Sequence, residues 1–147
     1  MHGWKEKFLS QAGNEVLLKA VIQAIPTYTM SVFQLPKAVC KEINSMMSQF
    51  WWGHKENDSK MAWMSWEKLG IAKAKGGMGY RDLESFNMAL LAKQGWRLLQ
   101  YPDSLVAKVF QQKYYPQGTF LNVQLGRSPF TWRSIWNARA LLNEGLI

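Results

Sequence analysis

Apolar residues recur at helical spacing along most of the chain, which predicts helices joined by polar or proline- and glycine-containing segments. The first helix is expected over residues 15–25, where Glu15, Lys19 and Gln23 form a polar stripe and the other positions are mostly apolar. Because only that stripe is polar, we expect this helix to be deeply packed. Pro26 lacks a backbone donor, so it is expected at the first turn of a second short helix or at a kink.

A longer amphipathic helix is predicted to begin at Pro36 and to end at Gly53, since glycine adopts left-handed backbone geometry without a steric penalty. Its expected apolar face consists of Val39, Ile43, Met46 and Phe50, with Cys40, Met47 and Trp51 beside it. Lys37 and Lys41 belong to the polar residues that fall mostly on the opposite side.

The middle of the chain is predicted to contain less regular structure. Residues 54–60 include no apolar side chain and predict an exposed loop. Trp63 and Trp66 share a face if their segment is a short helix, and both inward packing and stacking on bases remain open. The glycine-rich segment 73–79 lacks the Gly-Lys-Ser/Thr ending of a phosphate-binding loop. We therefore predict a sharp turn there, followed by a helix that Asp82 can cap.

A long helix is predicted from Leu83 to Leu99. Its expected apolar face consists of Met88, Leu91, Ala92, Trp96 and Leu99, joined by Phe86 and Leu90. Lys93 and Arg97 lie four residues apart on another face, where they either grip neighbouring phosphates or form part of a solvated surface.

Two further helices are predicted toward the end of the chain, separated by a connector over residues 117–129. The first starts at Pro102-Asp103-Ser104 and repeats the apolar residues Leu105, Val106, Val109 and Phe110. Thr131 is expected to cap the second. Its buried side is predicted to contain Trp132, Ile135, Trp136 and Leu142, with Arg133 and Arg139 in water. The fold class is accordingly all-α: an irregular bundle of about five to seven helices with connecting loops and no substantial sheet.

The charge favours an anionic partner. Eighteen lysines and arginines against ten acidic residues give a net charge of +8, as expected for a phosphate-binding surface, although a solvated lysine-rich surface is the alternative. Eight tryptophans and seven phenylalanines are more than a domain of 147 residues readily buries, so some are expected to face a partner.

Other site classes receive little support from the composition. With Cys40, His2 and His54 as the only cysteine and histidines, we predict neither a metal site nor a cofactor. The uncharged interval from Ala20 to Pro36 contains polar residues and is shorter than the ~20 apolar residues of a membrane span. We predict no membrane partner.

Several motifs occur in one order: Phe50-Trp51-Trp52-Gly53, the Trp63 and Trp66 pair, the segment 75–82 and the segment 92–97. This order resembles the region just C-terminal to the polymerase palm in plant LINE-type (non-LTR) retrotransposon reverse transcriptases. It is also similar to an uncharacterised plant mitochondrial reading frame derived from such an element. The resemblance leaves the nucleus and the mitochondrion open as compartments.

The resemblance implies thumb-like helices over residues 1–53, then a polar loop, tryptophan pair and glycine-rich turn over 54–82, and a C-terminal helical region over 83–147, all in one compact unit. Its implied partners are an RNA or DNA template–primer duplex and the missing palm. The residues expected to bind nucleic acid are Lys37, Lys41, Trp63, Trp66, Lys73, Lys75, Arg81, Lys93 and Arg97.

Catalysis is not expected of this chain, although the parent family is an RNA-directed DNA polymerase. Such enzymes hold two metal ions with carboxylates, usually including an adjacent aspartate pair, and here Asp58, Asp82 and Asp103 are all isolated. No catalytic residue is predicted, and no serine or cysteine has a recognisable histidine and carboxylate arrangement. The alternatives are a retroelement-derived helical protein with no retained activity and a protein-interaction module.

Overall fold

The computed structural model describes residues 10–53 and 61–145, and within these ranges it contains helices and no β-strand. The all-α prediction is confirmed. The predicted loop at 54–60 lies outside the described residues. The helices are α1 (Gln11–Leu17), a π-helix (Leu18–Ile22), α2 (Thr27–Met30), α3 (Lys37–Trp52), α4 (Trp66–Leu69), a 3₁₀-helix (Lys73–Lys75), α5 (Leu83–Gln100), α6 (Leu105–Tyr114), α7 (Phe130–Asn137) and α8 (Arg139–Gly145).

The chain forms two compact units. Unit 1 consists of Met1–Thr27 and Pro36–Leu83, and unit 2 consists of Tyr28–Leu35 and Glu84–Ile147. No helix of the described residues has the length and apolar character that crossing a membrane requires.

The first helical segment of unit 1 differs from the sequence prediction. The Gln23 N–H donates to the Leu18 carbonyl at 2.9 Å, which is the i to i+5 bond of a π-turn. Such a wide turn accommodates one extra residue, so each later residue takes the angular place of its predecessor. Gln23, predicted to be wet, therefore takes the place of an apolar residue and is only 2% exposed. Ile25, predicted to pack, lies beyond the last residue of the π-helix and is 72% exposed. The prediction of a deeply packed helix with a wet Gln23 was wrong.

The bounds of α3 agree with the prediction. Pro36 precedes its first residue, and Gly53 ends it with φ 63° and ψ 35°. The buried face is displaced by one residue, however, because Cys40 and Met47 are buried while Val39 and Met46 are exposed. Apolar side chains cover a wide arc of this helix, so its sequence alone does not determine which part of the arc faces the unit.

The glycine-rich turn is confirmed by two backbone bonds, from Met78 N to Leu69 O at 2.8 Å and from Gly79 N to Ile71 O at 2.9 Å. Just before this turn, α4 begins at Trp66, and the Ser65 hydroxyl accepts from the Lys68 N–H. The preceding Trp63 is outside the helix, so the expectation of a shared helical face was wrong.

The core of unit 2 surrounds Trp132, which is 1% exposed. The Tyr114 ring stacks on it with centroids 4.6 Å apart, and the Phe110 and Tyr115 rings follow at 5.5 and 5.7 Å. Ile135 is also buried, as predicted. The cap prediction was wrong, because α7 already begins at Phe130 and Thr131 is its second residue.

Two further expectations for unit 2, at Trp96 and Arg139, were wrong. In α5 the buried positions include Asn87, Gly95 and Leu98, whereas Trp96 of the predicted face is exposed. In α6, for which no buried face was predicted, Leu105, Val106 and Val109 are exposed and Ala107 is buried. Arg139 is half-buried rather than wet, since its guanidinium donates to the Val123 carbonyl at 2.6 Å and lies over the Trp136 ring.

Asn87 joins the two chain segments of unit 2. Its amide nitrogen donates to the carbonyls of Met30 at 2.6 Å and Phe33 at 2.9 Å. Its amide oxygen accepts from the Leu35 N–H at 2.8 Å. Since Asn87 is buried, these bonds replace the water that its amide would otherwise bind. They fix the short segment Tyr28–Leu35 against α5.

Candidate nucleic-acid interface

The nine residues predicted to bind nucleic acid are distributed over both units. Lys93 and Arg97 lie in unit 2. The other residues lie in unit 1: Lys37, Lys41, Trp63, Trp66, Lys73, Lys75 and Arg81. The structure therefore gives two separate sets of candidates.

Helix α3 carries the first pair of cations. Lys37 and Lys41 are both exposed and lie four residues apart on α3. Side chains at this spacing are neighbours, with Cβ atoms about 5–6 Å apart. Two ammonium groups so placed can contact the same phosphate backbone.

The glycine-rich turn carries the second group of cations, and an acidic residue partly neutralises it. Glu15 Oε1 lies 2.7 Å from Lys73 Nζ and 2.7 Å from Lys19 Nζ. Hydrogen bonds from Lys19 and then Lys73 lower the pKa of Glu15 from 4.5 to about 2. Lys73 therefore already has a carboxylate partner. Lys75 and Arg81 are also exposed near this turn.

Tyr80 organises the aromatic side chains of unit 1. Its buried ring stacks on Trp66 with centroids 4.6 Å apart and meets the edge of Trp51 at 5.8 Å. The Lys19 ammonium lies 5.3 Å from the centre of the same ring. Burial, together with the negative charge of Glu15, raises the pKa of Tyr80 to about 12.

These contacts separate the two tryptophans that the sequence left undecided. Trp66 is half-buried and packs on Tyr80, which is a structural role. Trp63 is 83% exposed, so its ring is accessible for stacking on a base.

A cavity of about 310 Å³ lies beside the turn in unit 1. Its wall includes Asn44, Trp66, Tyr80, Arg81 and Asp82. Within residues 10–53 and 61–145, the buried Asn44 Oδ1 and Tyr80 hydroxyl have no hydrogen-bond partner. The cavity wall thus combines aromatic surface, charges of both signs and two polar side chains with unused hydrogen-bonding capacity.

Unit 2 has a larger groove of about 500 Å³. Its wall includes Tyr28, Val32, Arg97, Tyr101, Val106 and Phe110. Arg97 and the neighbouring Lys93 are exposed one turn apart on α5, as predicted from their spacing. The described residues contain no group of three or more metal-ligating side chains in either unit.

Sequence reasoning missed Lys19 and Asn87 as organising residues. Lys19 was assigned to a solvated stripe, yet its ammonium binds Glu15 and also donates to the Met78 carbonyl. The signal for Asn87 was an amide at a helical position four residues before the buried Leu91. Helical periodicity alone does not reveal the three backbone partners of that amide, which are remote in sequence.

Comparisons with known proteins identify two relatives in Arabidopsis thaliana. The chain is 42% identical to an uncharacterised mitochondrial protein over 126 residues, which cover 84% of the chain and 82% of that protein. It is 38% identical to a putative ribonuclease H protein over 138 residues, which cover 92% of the chain but 22% of that protein. No protein-family profile matches the chain, and no solved structure matches it. The chain belongs to the same family as the uncharacterised mitochondrial protein of Arabidopsis thaliana.

Proposed function

We propose that the chain is a non-catalytic segment of a plant retroelement's RNA-directed DNA polymerase, and that it binds a template–primer duplex through basic side chains. The observation that carries this proposal is the similarity to the putative ribonuclease H protein. Nearly all of our chain aligns there with less than a quarter of a much longer protein, whose name is that of a ribonuclease. A supporting segment within a larger nucleic-acid enzyme fits this relation.

The acidic residues favour binding over polymerisation. Two-metal phosphoryl transfer needs carboxylates that hold ions about 3.5–4 Å apart. None of the three aspartates of the sequence is adjacent to another. Asp82 and Asp103, moreover, belong to different compact units. The chemistry of the proposed polymerase therefore belongs to a palm that this sequence does not contain.

The cations supply the binding step. The net charge of +8 attracts a polyanion, and Lys37, Lys41 and Lys75 present exposed ammonium groups on unit 1. Glu15 balances part of the charge of Lys73, which lies on the same unit. Side chains of this kind hold the duplex in register without reading its sequence.

A salt titration of duplex binding tests the proposal. Fluorescence anisotropy of a labelled primer–template duplex gives the binding constant at several salt concentrations. For B-form DNA the slope of log K against log salt has a magnitude of about 0.9 for each phosphate that the protein neutralises, so Lys37→Gln with Lys41→Gln should reduce that magnitude by about 1.8. Lys108→Gln with Lys113→Gln on α6 removes the same charge and is the matched control.

The outcomes separate the alternatives. Equal slopes for the two double variants would show that general charge, rather than α3, holds the duplex. Absence of duplex binding at low salt would favour a retroelement-derived protein without retained activity. A protein-interaction module is the second candidate, because Leu105, Val106 and Val109 of α6 expose apolar surface. The mitochondrial relative favours a mitochondrion over the nucleus as the compartment.

A further inference from the structure

The groove of unit 2 has a composition suited to a flat, anionic ligand. Tyr28 is 83% exposed and Tyr101 60% exposed, and both contribute to its wall. Among the described residues that form this wall, Arg97 is the only charged one, and none is a carboxylate. A groove of about 500 Å³ also falls within the ~300–1,000 Å³ typical of sites for small organic ligands.

Aromatic faces combined with a cation are what an unpaired nucleotide requires. Bases stack on exposed aromatic rings regardless of sequence, while arginine binds the phosphates that join them. Lys93 lies one turn from Arg97 on α5 and extends the positive surface along the helix. An aliphatic wall without a cation would instead suit a purely apolar partner.

We propose that this groove binds one or two unpaired nucleotides of a nucleic-acid strand, with bases on Tyr28 and Tyr101 and a phosphate at Arg97. This inference rests on the proposed function and adds to it a single-strand site distinct from the lysines of α3. The site accepts RNA or DNA, because neither stacking nor a phosphate contact distinguishes the sugars.

The fold positions the components of this site before a ligand arrives. Asn87 anchors the segment that carries Tyr28 through its bonds to Met30, Phe33 and Leu35. The Ser31 hydroxyl also donates to the Tyr28 carbonyl at 2.6 Å. Asn87 and Arg97 lie on the same helix, α5, which holds their separation along its axis at about 15 Å. Such preorganisation reduces the entropy lost on binding.

Three labelled nucleic acids test the proposal with the full chain: a blunt duplex, the same duplex with a single-stranded overhang, and the overhang sequence alone. Tyr28→Leu with Tyr101→Leu removes the aromatic faces but keeps apolar side chains. We expect affinity for both single-stranded probes to fall by about 5- to 150-fold for each base that loses its stack, with blunt-duplex affinity unchanged.

The matched control is Tyr28→Phe with Tyr101→Phe, which keeps the rings and should retain single-strand binding. Arg97→Gln should weaken binding of the same two probes. Because Tyr28, Tyr101 and Arg97 are exposed, we expect each variant to unfold at the same temperature as the parent protein. Measuring that temperature checks that the variants are folded. A 5-iodouracil placed in the overhang localises the site, because its photochemical crosslink should map to Tyr28 or Tyr101.

The results distinguish this inference from the proposed function. Duplex binding that depends on Lys37 and Lys41, with no effect of the leucine variant on the overhang probe, would overturn the groove and leave the function standing. Tyrosine-dependent binding of single strands without any duplex binding would support the groove and overturn the proposed duplex-binding function. If the leucine variant binds single strands like the parent while an acidic amphipathic peptide displaces them, the groove is a peptide site and the inference fails.

Discussion

Replacing Asn87 by leucine tests whether its amide joins the two segments of unit 2. The side chain is 2% exposed and makes three hydrogen bonds to backbone groups of Met30, Phe33 and Leu35. Leucine has a similar volume but no polar atoms. The substitution therefore leaves two carbonyls and one N–H without their partner while leaving the packing volume nearly unchanged.

The loss of stability in Asn87→Leu depends on how accessible the three backbone groups are to water. Met30 is fully buried, so its carbonyl loses a partner that water cannot replace, at about 2–3 kcal/mol. Phe33 is partly exposed and Leu35 half-buried, so each of their groups regains some hydration and loses about 1 kcal/mol. The apolar leucine side chain returns about 1–2 kcal/mol through burial. We expect a net loss of roughly 2–4 kcal/mol in the free energy of unfolding.

Urea unfolding followed by tryptophan fluorescence and circular dichroism measures this loss. The control is Asn137→Leu, because Asn137 is exposed and its amide donates to Gln34 Oε1 at 2.8 Å. An exposed bond of this kind is expected to contribute less than about 1 kcal/mol. Equal stability of the two variants would refute the anchoring role of Asn87.

Two other predictions concern unit 1. Glu15 has a lowered pKa of about 2, so its stabilising contribution is complete above about pH 4.5 and is lost as the pH falls toward 2. Glu15→Gln should therefore lower the urea midpoint of unfolding near pH 6, and the midpoints of variant and parent should converge near pH 2. Glu144→Gln controls for the loss of one negative charge. A midpoint difference that does not change with pH would contradict the lowered pKa of Glu15. A Cβ at Gly77 would lie 1.9 Å from the Ile71 carbonyl oxygen, so Gly77→Ala should destabilise by more than about 2 kcal/mol. Gly126→Ala is the control, because a Cβ at Gly126 would meet no atom within 4 Å. Equal unfolding midpoints for the two alanine variants would show that the backbone of the turn moves aside at little energetic cost.

Helix bounds were predictable where a local residue determines them. Pro36 and Gly53 delimit α3, and the Ser104 hydroxyl accepts from the Ala107 N–H at the start of α6. These effects act within one turn of the chain, so the sequence alone contains them. The cap of α7 was misplaced by two residues, at Thr131 instead of Pro129, because threonine is a common capping residue and the local sequence favours it.

Buried faces were harder to predict, because they depend on segments that are distant in sequence. In α5, Trp96 has more apolar surface than Asn87, yet Asn87 is the buried residue because the backbone of Tyr28–Leu35 satisfies its amide. The π-turn at Leu18–Ile22 has a similar effect on the residue that follows it, since one extra residue in the turn gives Gln23 a buried position.

The candidate site was predictable only in part for the same reason. The spacing of Lys37 and Lys41 and of Lys93 and Arg97 correctly indicated exposed pairs. It did not indicate that Glu15 approaches Lys73 from a position 58 residues earlier in the sequence. The groove containing Tyr28 and Tyr101 also joins chain segments that no local pattern connects. The role of all nine predicted residues in binding nucleic acid stays a prediction.

The path of the chain between its two units limits how the protein can be divided. The backbone passes from one unit to the other after Thr27, after Leu35 and again after Leu83, so neither unit is a continuous stretch of sequence. A reading frame interrupted before codon 84 would leave Tyr28–Leu35 without Asn87, and a piece starting at Glu84 would have Asn87 without its acceptors. Unit 2 therefore forms only when both of its stretches belong to one chain, since a break on the N-terminal side of Glu84 separates Asn87 from the segment that it anchors.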